Sequence, residues 1–306
     1  METPQLVFDR AAVRRHRARA AADWANHDFL ATEAAERLAD RLPDIKRSFP
    51  LALDLGCHGG ELGRTLAGRG GIETLVQCDA AAGFARRAAG VGPAVVADEE
   101  ALPFAAGRFD LALSVLSLHW VNDLPGTLLQ LRQLLKPDGL LLASLFGGDT
   151  LWELRRSLMR AEAEIAGGAS PRVSPFVELR DAAGLLQRAG FALPVADVDR
   201  ITVSYADPLA LMRDLRAMGE SNALADRPRR VPPRELLARA AALYMEEFAG
   251  PDGRVPATFE LVTLTAWTPH ESQQKPLRPG SAEARLAEAL ETEEKPAGDK
   301  AAPRRS

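Results

Sequence analysis

The chain has little of what would place it in several functional classes. Two cysteines in 306 residues, Cys57 and Cys78, make no disulfide framework, and a reducing, cytoplasmic setting suits them. Lys and Arg number 38 against 42 Asp and Glu, a formal charge of -4, so no basic excess exists from which to build a nucleic-acid surface. The most apolar runs, residues 111–118 and 139–146, fall well short of the roughly 20 residues a membrane-spanning helix needs. No transmembrane segment is expected, and peripheral association with a membrane stays open. The five histidines, His16, His27, His58, His119 and His270, include no His-x-Asp/Glu pair of the kind non-haem iron sites use, so no metal site is expected. No Ser-His-Asp array announces a resident nucleophile. Segment 10–20 is Arg-rich like a targeting presequence, yet it lacks serine, has no apolar run and follows Asp9 directly, so it reads as a surface helix.

What is there is length and pattern. The chain has 46% hydrophobic and 26% charged residues, enough to bury one large core and carry an appended cap. Phe8, Val13, Ala20, Trp24, Phe29 and Leu38 recur at helical spacing, which marks residues 1–45 as an N-terminal helical lid. From 51 to 146 short apolar runs alternate with helix-like segments: strands at 51–55, 74–78, 94–96, 110–116 and 139–146, helices at 61–69, 81–89 and 125–135. Each parallel connection needs a crossover, so this alternation predicts an α/β fold, a Rossmann-like doubly wound sheet with helices on both faces. Lys136-Pro137-Asp138-Gly139 reads as the turn that launches the last parallel strand. Beyond 150, strands at 191–203 and 257–268 extend the sheet, and helices within 151–189 and 208–248 cap its ligand edge. The main domain spans 46–268. The tail, 269–306, is rich in Pro, Glu, Lys and Ala and is expected to be largely disordered.

Three acidic positions and one glycine-rich turn carry the chemistry. In Asp54-Leu55-Gly56-Cys57-His58-Gly59-Gly60 the side-chain-free positions let a cofactor's polar tail approach the backbone, and free N–H groups at the helix start meet its carboxylate. Asp54 can then take the cationic amine, directly or through water; the bland alternative is a tight strand-helix turn that binds nothing. Asp79 closes the next apolar run about 20 residues on, where a strand-two acid meets a ribose. Asp98 and Glu99 follow the third strand, suited either to an exocyclic adenine amine or to capping a helix. His58 stands where a glycine is usual in such turns, and it either contacts the cofactor carboxylate or points outward.

These residues, in this order, resemble class I S-adenosylmethionine-dependent methyltransferases. The fold implied is the seven-stranded methyltransferase sheet with a helical lid. The stretch Ser114-Val115-Leu116-Ser117-Leu118-His119-Trp120-Val121-Asn122-Asp123-Leu124 is similar to the malonyl-acyl-carrier-protein methyltransferases of biotin synthesis. A broader resemblance covers roughly residues 6–282. Phe8-Asp9-Arg10, Leu118-His119-Trp120-Val121-Asn122-Asp123-Leu124-Pro125, Phe146-Gly147-Gly148-Asp149-Thr150, Ser174-Pro175-Phe176, Met218-Gly219-Glu220-Ser221-Asn222 and Val255-Pro256-Ala257-Thr258 look like the mitochondrial assembly factors of respiratory complex I described as arginine hydroxylases.

The resemblance implies S-adenosyl-L-methionine as cofactor and a protein or carboxyl acceptor, with a complex I subunit as the candidate protein partner. His119 would act as general base or orient the acceptor, and Trp120 would wall the sulfonium by cation–π attraction, unless both simply pack beneath the lid. Asp149 and Arg155 would supply an acceptor-binding fork or an exposed helix charge pair. Methyl transfer, arginine hydroxylation and a non-catalytic chaperone role all remain open at this point.

Overall fold

The computed structural model describes residues 6–274 together with 288, 291 and 292. The chain divides into a compact unit ending at His270 and a second unit from Glu271 onward. Most of the tail expected to be disordered lies outside the described residues.

Asp9 starts α1 (Arg10–Ala20) by accepting a hydrogen bond from the Ala12 N–H at 3.0 Å, which satisfies one of the donors a helix start leaves open. One face of α1 is buried through Ala12, Val13, Arg17 and Ala20, while Ala11, Arg14, Arg15, Ala18 and Arg19 stay exposed, the pattern of a surface helix packed on one side. A short turn holding Trp24 leads to α2 (Phe29–Ala39), whose Leu30, Ala34 and Leu38 enter the core at helical spacing.

The sheet is then laid down by β1 (Leu51–Leu55), α3 (Glu61–Leu66), β2 (Thr74–Asp79), α4 (Ala82–Ala88), β3 (Ala94–Val96), β4 (Phe109–Val115), α5 (Leu124–Leu134) and β5 (Leu135–Phe146). These five strands pair in parallel in the order β3-β2-β1-β4-β5, as alternation with helices requires. The turn at 136–139 appears as an irregularity within β5: Leu135 faces Phe109, Leu140 faces Leu111, and Asp138 sits at φ +62°.

The chain continues through α6 (Trp152–Ala166), α7 (Leu179–Arg188), β6 (Ala192–Tyr205), α8 (Pro208–Met218), α9 (Arg234–Phe248) and β7 (Val255–Trp267). β7 lies between β5 and β6 and runs antiparallel to both. Tyr205 and Val255 face each other across the ladder. The excursion through α8 and α9 therefore leaves and re-enters the sheet at one end, as an enlarged hairpin would, and the last strand must reverse.

Strand residues alternate between two cores, as the period of two demands. Ala52, Leu111, Leu113, Leu140, Leu142 and Leu261 pack with α2, α3, α6, α8 and α9, while Leu53, Leu55, Ala112, Leu141 and Val262 pack with α5 and α7. At about 25 cal/mol per Å² of apolar surface removed from water, this two-sided burial is the main force holding the strand ends in place.

Candidate functional site

In an open α/β sheet, ligands bind at the carboxyl ends of the strands where the order reverses. Here that point lies between β1 and β4, and Asp54, Asp79, Asp98 and Glu99 all gather at this end.

Gly56 and Gly60 adopt φ +74° and +87°, and a Cβ at Gly56 would sit 2.1 Å from the Ser117 side chain, so the turn needs glycine there. His58 holds the same left-handed backbone at φ +47°, which strains a side-chain-bearing residue. The turn has no idle N–H group. Those of Gly56 and Cys57 donate to the Cys78 carbonyl, His58 to Asp79 Oδ2 at 3.2 Å, Gly59 to Glu61 Oε2 at 2.9 Å and Gly60 to the Cys57 carbonyl. The free donors expected for a cofactor carboxylate are thus taken by the chain's own oxygens, that of Gly59 by the carboxylate of Glu61.

The His58 ring stacks on Trp24 with centroids 5.1 Å apart and meets Phe84 edge-on. Its Nε2 lies 3.0 Å from the Val115 carbonyl and 3.2 Å from that of Leu116, so Nε2 carries the proton and Nδ1 is a bare, unpartnered acceptor. Burial, reinforced by Arg17, holds the imidazole neutral down to about pH 3. A neutral ring with this tautomer cannot donate to a carboxylate. His58 points inward and offers a lone pair.

Asp54 is fully buried, and neither carboxylate oxygen has a hydrogen-bond partner. Burial, with Glu61 and Asp79 nearby, raises its pKa well above the ordinary carboxylate range. The other acids are satisfied by α1, whose Arg10, Arg14 and Arg17 lie at i, i+4 and i+7 on one helix face. Arg17 forks onto Asp79, with Nε 3.4 Å from Oδ1 and Nη2 on Oδ2. Arg10 Nη2 binds Glu99 and lies 2.6 Å from Asp98 Oδ1, and Arg14 reaches Asp98 Oδ2 at 3.1 Å. Glu99 also accepts from Ser117 Oγ at 3.1 Å.

His119 and Trp120 end the turn after β4 and share one partner that sequence reasoning missed. Glu220, just past α8, accepts from Trp120 Nε1 at 3.2 Å and lies 3.3 Å from His119 Nε2, leaving His119 Nδ1 buried and unpartnered. Burial opposes the Glu220 charge, but His119 and Trp120 outweigh it and hold its pKa below the ordinary value. Trp120 packs edge-on against Phe8, and its indole is committed to Glu220. The only sequence signal for Glu220 is its place in Met218-Gly219-Glu220-Ser221-Asn222.

Asp149 and Arg155 form no fork. Asp149 pairs with Arg200 at the surface, and Arg155 spends its guanidinium on the carbonyls of Gly148, Thr150 and Ser174. Among the described residues no cluster of three or more His, Cys, Asp or Glu could hold a metal ion.

S-adenosylmethionine carries an ammonium, a carboxylate, ribose hydroxyls and an adenine amine. Asp54, with two buried oxygens lacking donors, fits the ammonium, and Asp79 and Glu99 are of the right kind and place for the rest. What fills the cleft is the arginine face of α1 and the His58–Trp24 stack. The cavity left between Trp24, His58, Leu116, Phe146 and Glu220 is about 10 Å³, room for about one water. Asp54, Asp79 and Glu99 fit the group in chemistry, while the space it would need is taken by the α1 arginines and the His58–Trp24 stack.

Comparison with known proteins shows the family and the fold. Residues 53–143 match the Methyltransferase domain model. The chain is 44% identical over 292 residues to "Arginine-hydroxylase NDUFAF5, mitochondrial" of Danio rerio, covering 92% of this chain and 89% of that protein. The Homo sapiens protein of the same name is 44% identical over 286 residues, covering 90% and 81%. A malonyl-[acyl-carrier protein] O-methyltransferase of Methylovorus sp. (strain MP688) is 34% identical over 281 residues, covering 88% and 92%. Among solved structures, a Bacillus halodurans protein provisionally assigned as a methyltransferase superposes with a TM-score of 0.53 at 18% identity, covering 78% of this chain and 100% of that one. At that identity the likeness speaks to the fold alone.

Proposed function

We propose the following for this chain, which belongs to the S-adenosylmethionine-dependent methyltransferase family, in the group that includes the arginine-hydroxylase and malonyl-acyl-carrier-protein methyltransferase relatives. It binds S-adenosyl-L-methionine at the carboxyl ends of β1 to β3 and acts on a protein side chain or a carboxyl acceptor under the cap of α6 to α8. The observation that carries this reading is Asp54, a buried carboxylate with two unpartnered oxygens at the glycine turn. Such a group is costly to bury without a cation, and an ammonium supplies one.

When bound, the cofactor supplies an electrophilic methyl group. The chain's part is to position. Asp54 and the Nδ1 lone pair of His58 accept from cationic N–H groups, while Asp79 and Glu99 exchange their arginines for hydroxyl and amine donors. His119, held through Nε2 by Glu220, keeps Nδ1 bare to take a proton from the acceptor, and Trp120 orients Glu220. The buried Cys57 and Cys78 thiols, pushed up by burial, suit a reducing cytoplasm. No described helix is long and apolar enough to cross a membrane.

A link to assembly of respiratory complex I, with one of its subunits as the protein acceptor, is supported by the motif resemblance over most of the chain. The printed name of the 44% identical relatives favours a second reading, hydroxylation of an arginine. Mass spectrometry of candidate subunits from a deletion strain separates the readings. Loss of a methyl increment supports the first and loss of an oxygen increment the second. No change in either, with assembly still impaired, leaves a non-catalytic chaperone.

A further inference from the structure

Three cavities share walls in succession between the surface and the glycine turn. The outer one, about 500 Å³, opens between α6 and the 169–178 segment and is walled by Met159, Val173, Pro175 and Phe176. It shares Arg172, Val173 and Phe176 with a second of about 50 Å³, which reaches Trp120 and Glu220. The second shares Phe146 and Glu220 with the innermost, whose wall includes His58 and Trp24. Glu220 therefore stands where the route from the surface meets the cofactor end.

Its electrostatic state sets it apart. Asp79, Glu61, Glu99, Glu162 and Glu260 are buried and each pairs with an arginine: Arg17, Arg64, Arg10, Arg172 and Arg200. Among the described residues no Arg or Lys lies within ion-pair distance of Glu220, whose side chain is 12% exposed; its partners are one indole N–H and one imidazole. Each oxygen accepts one such bond and keeps a lone pair. Arg17 acts on it only from beyond ion-pair distance and is itself committed to Asp79, so Glu220 has no guanidinium or ammonium bound directly to its oxygens. The arginines along the route do not substitute, since Arg172 is neutralised by Glu162 and Arg155 is held by three carbonyls.

We propose that this succession of cavities is the acceptor's path and that Glu220 recognises the cationic head of a long, slender side chain of a protein substrate. The apolar walls at Val173, Phe176 and Phe146 hold its aliphatic stem, as such stems pack on apolar surface with the charge at a polar end. A guanidinium matches the two oxygens with paired N–H donors, and an amine meets them as a point charge. This rests on the reading of the chain as an enzyme acting on a protein side chain.

The test titrates the full chain with the acetyl-methylamide derivatives of arginine, lysine and citrulline, the last being the neutral isostere of the first, and in parallel with S-adenosylhomocysteine. The expected result is that one or both cationic probes bind at least tenfold more tightly than citrulline, and the arginine-to-lysine ratio distinguishes guanidinium from amine. Glu220→Gln abolishes the preference while leaving S-adenosylhomocysteine affinity within about twofold. Val173→Trp, which closes the passage between outer and middle cavities with Glu220 intact, weakens the cationic probes by a similar factor. Equal binding of charged and neutral probes, or a charge preference that survives Glu220→Gln, overturns the proposal. Loss of S-adenosylhomocysteine binding in the unmodified chain, with the Glu220-dependent preference intact, instead removes the cofactor reading and leaves the cation site standing.

Discussion

The two ends of the cleft treat negative charge differently. At the carboxyl ends of β2 and β3, Asp79, Asp98 and Glu99 are met by arginines of α1, whereas among the described residues no Arg or Lys forms an ion pair with Asp54 at the turn or Glu220 beneath the cap. The paired acids are held by ion pairs within the chain. On the proposed reading the unpaired ones are where positive charge comes from outside. A buried carboxylate is thus informative chiefly through whether an arginine already answers it.

The largest expected effect breaks a paired position. Arg17→Met leaves Asp79 ionised and unpaired in the interior, both groups being almost wholly buried, and is expected to cost about 3–5 kcal/mol in thermal or denaturant unfolding. The double variant with Asp79→Asn recovers most of it. A loss below about 1 kcal/mol would mean that the α1 pair is no different from a surface ion pair.

Asp54→Asn, at an unpaired position, acts in the opposite direction. It removes a buried carboxyl that must keep its proton against its solution pKa, and is expected to stabilise the cofactor-free chain by about 1–3 kcal/mol at neutral pH. Because burial raises the Asp54 pKa, the folded state holds its proton while the unfolded state releases it. The native chain therefore loses stability as pH rises above the unfolded value of 3.8, and the variant escapes that loss. Unfolding midpoints measured between acidic and neutral pH check both signs.

His58→Gly sharpens the comparison within the turn. The native imidazole stays neutral to about pH 3, while the unfolded chain takes a proton near pH 6.5. Its contribution is fully present above pH 6.5 and is lost as pH falls toward 3, at up to about 1.4 kcal/mol per pH unit. Replacement flattens that window and relieves the φ +47° strain. A variant with an unchanged acid limb would place the imidazole in solvent. The smallest effect is expected at Asp149→Ala. Its bridge to Arg200 lies at side-chain exposures of 54% and 62%, Arg200 keeps its pair with Glu260, and the loss changes stability by less than about 1 kcal/mol.

How much of this was legible in the sequence follows the same division. Strand, glycine turn and helix at 51–66 are contiguous, and the acids at 79, 98 and 99 end strands whose apolar runs declare them, so periodicity alone puts them at one sheet edge. The arginine face of α1 was hidden by sequence distance. Its i, i+4, i+7 spacing is visible, but its partners lie 62 to 89 residues away. Glu220 is 101 residues from His119, and no local period links them. The reversal of β7 was likewise unreadable, because it depends on where α8 and α9 return the chain.

Isothermal titration of S-adenosylmethionine, and of its demethylated product, into the native chain and into Asp54→Asn tests the central claim most directly. The account predicts saturable heat with the native chain and an affinity at least tenfold weaker, about 1.4 kcal/mol, in a variant that is folded and more stable without ligand. Equal affinity in the two chains, or no binding to the native one, would contradict it.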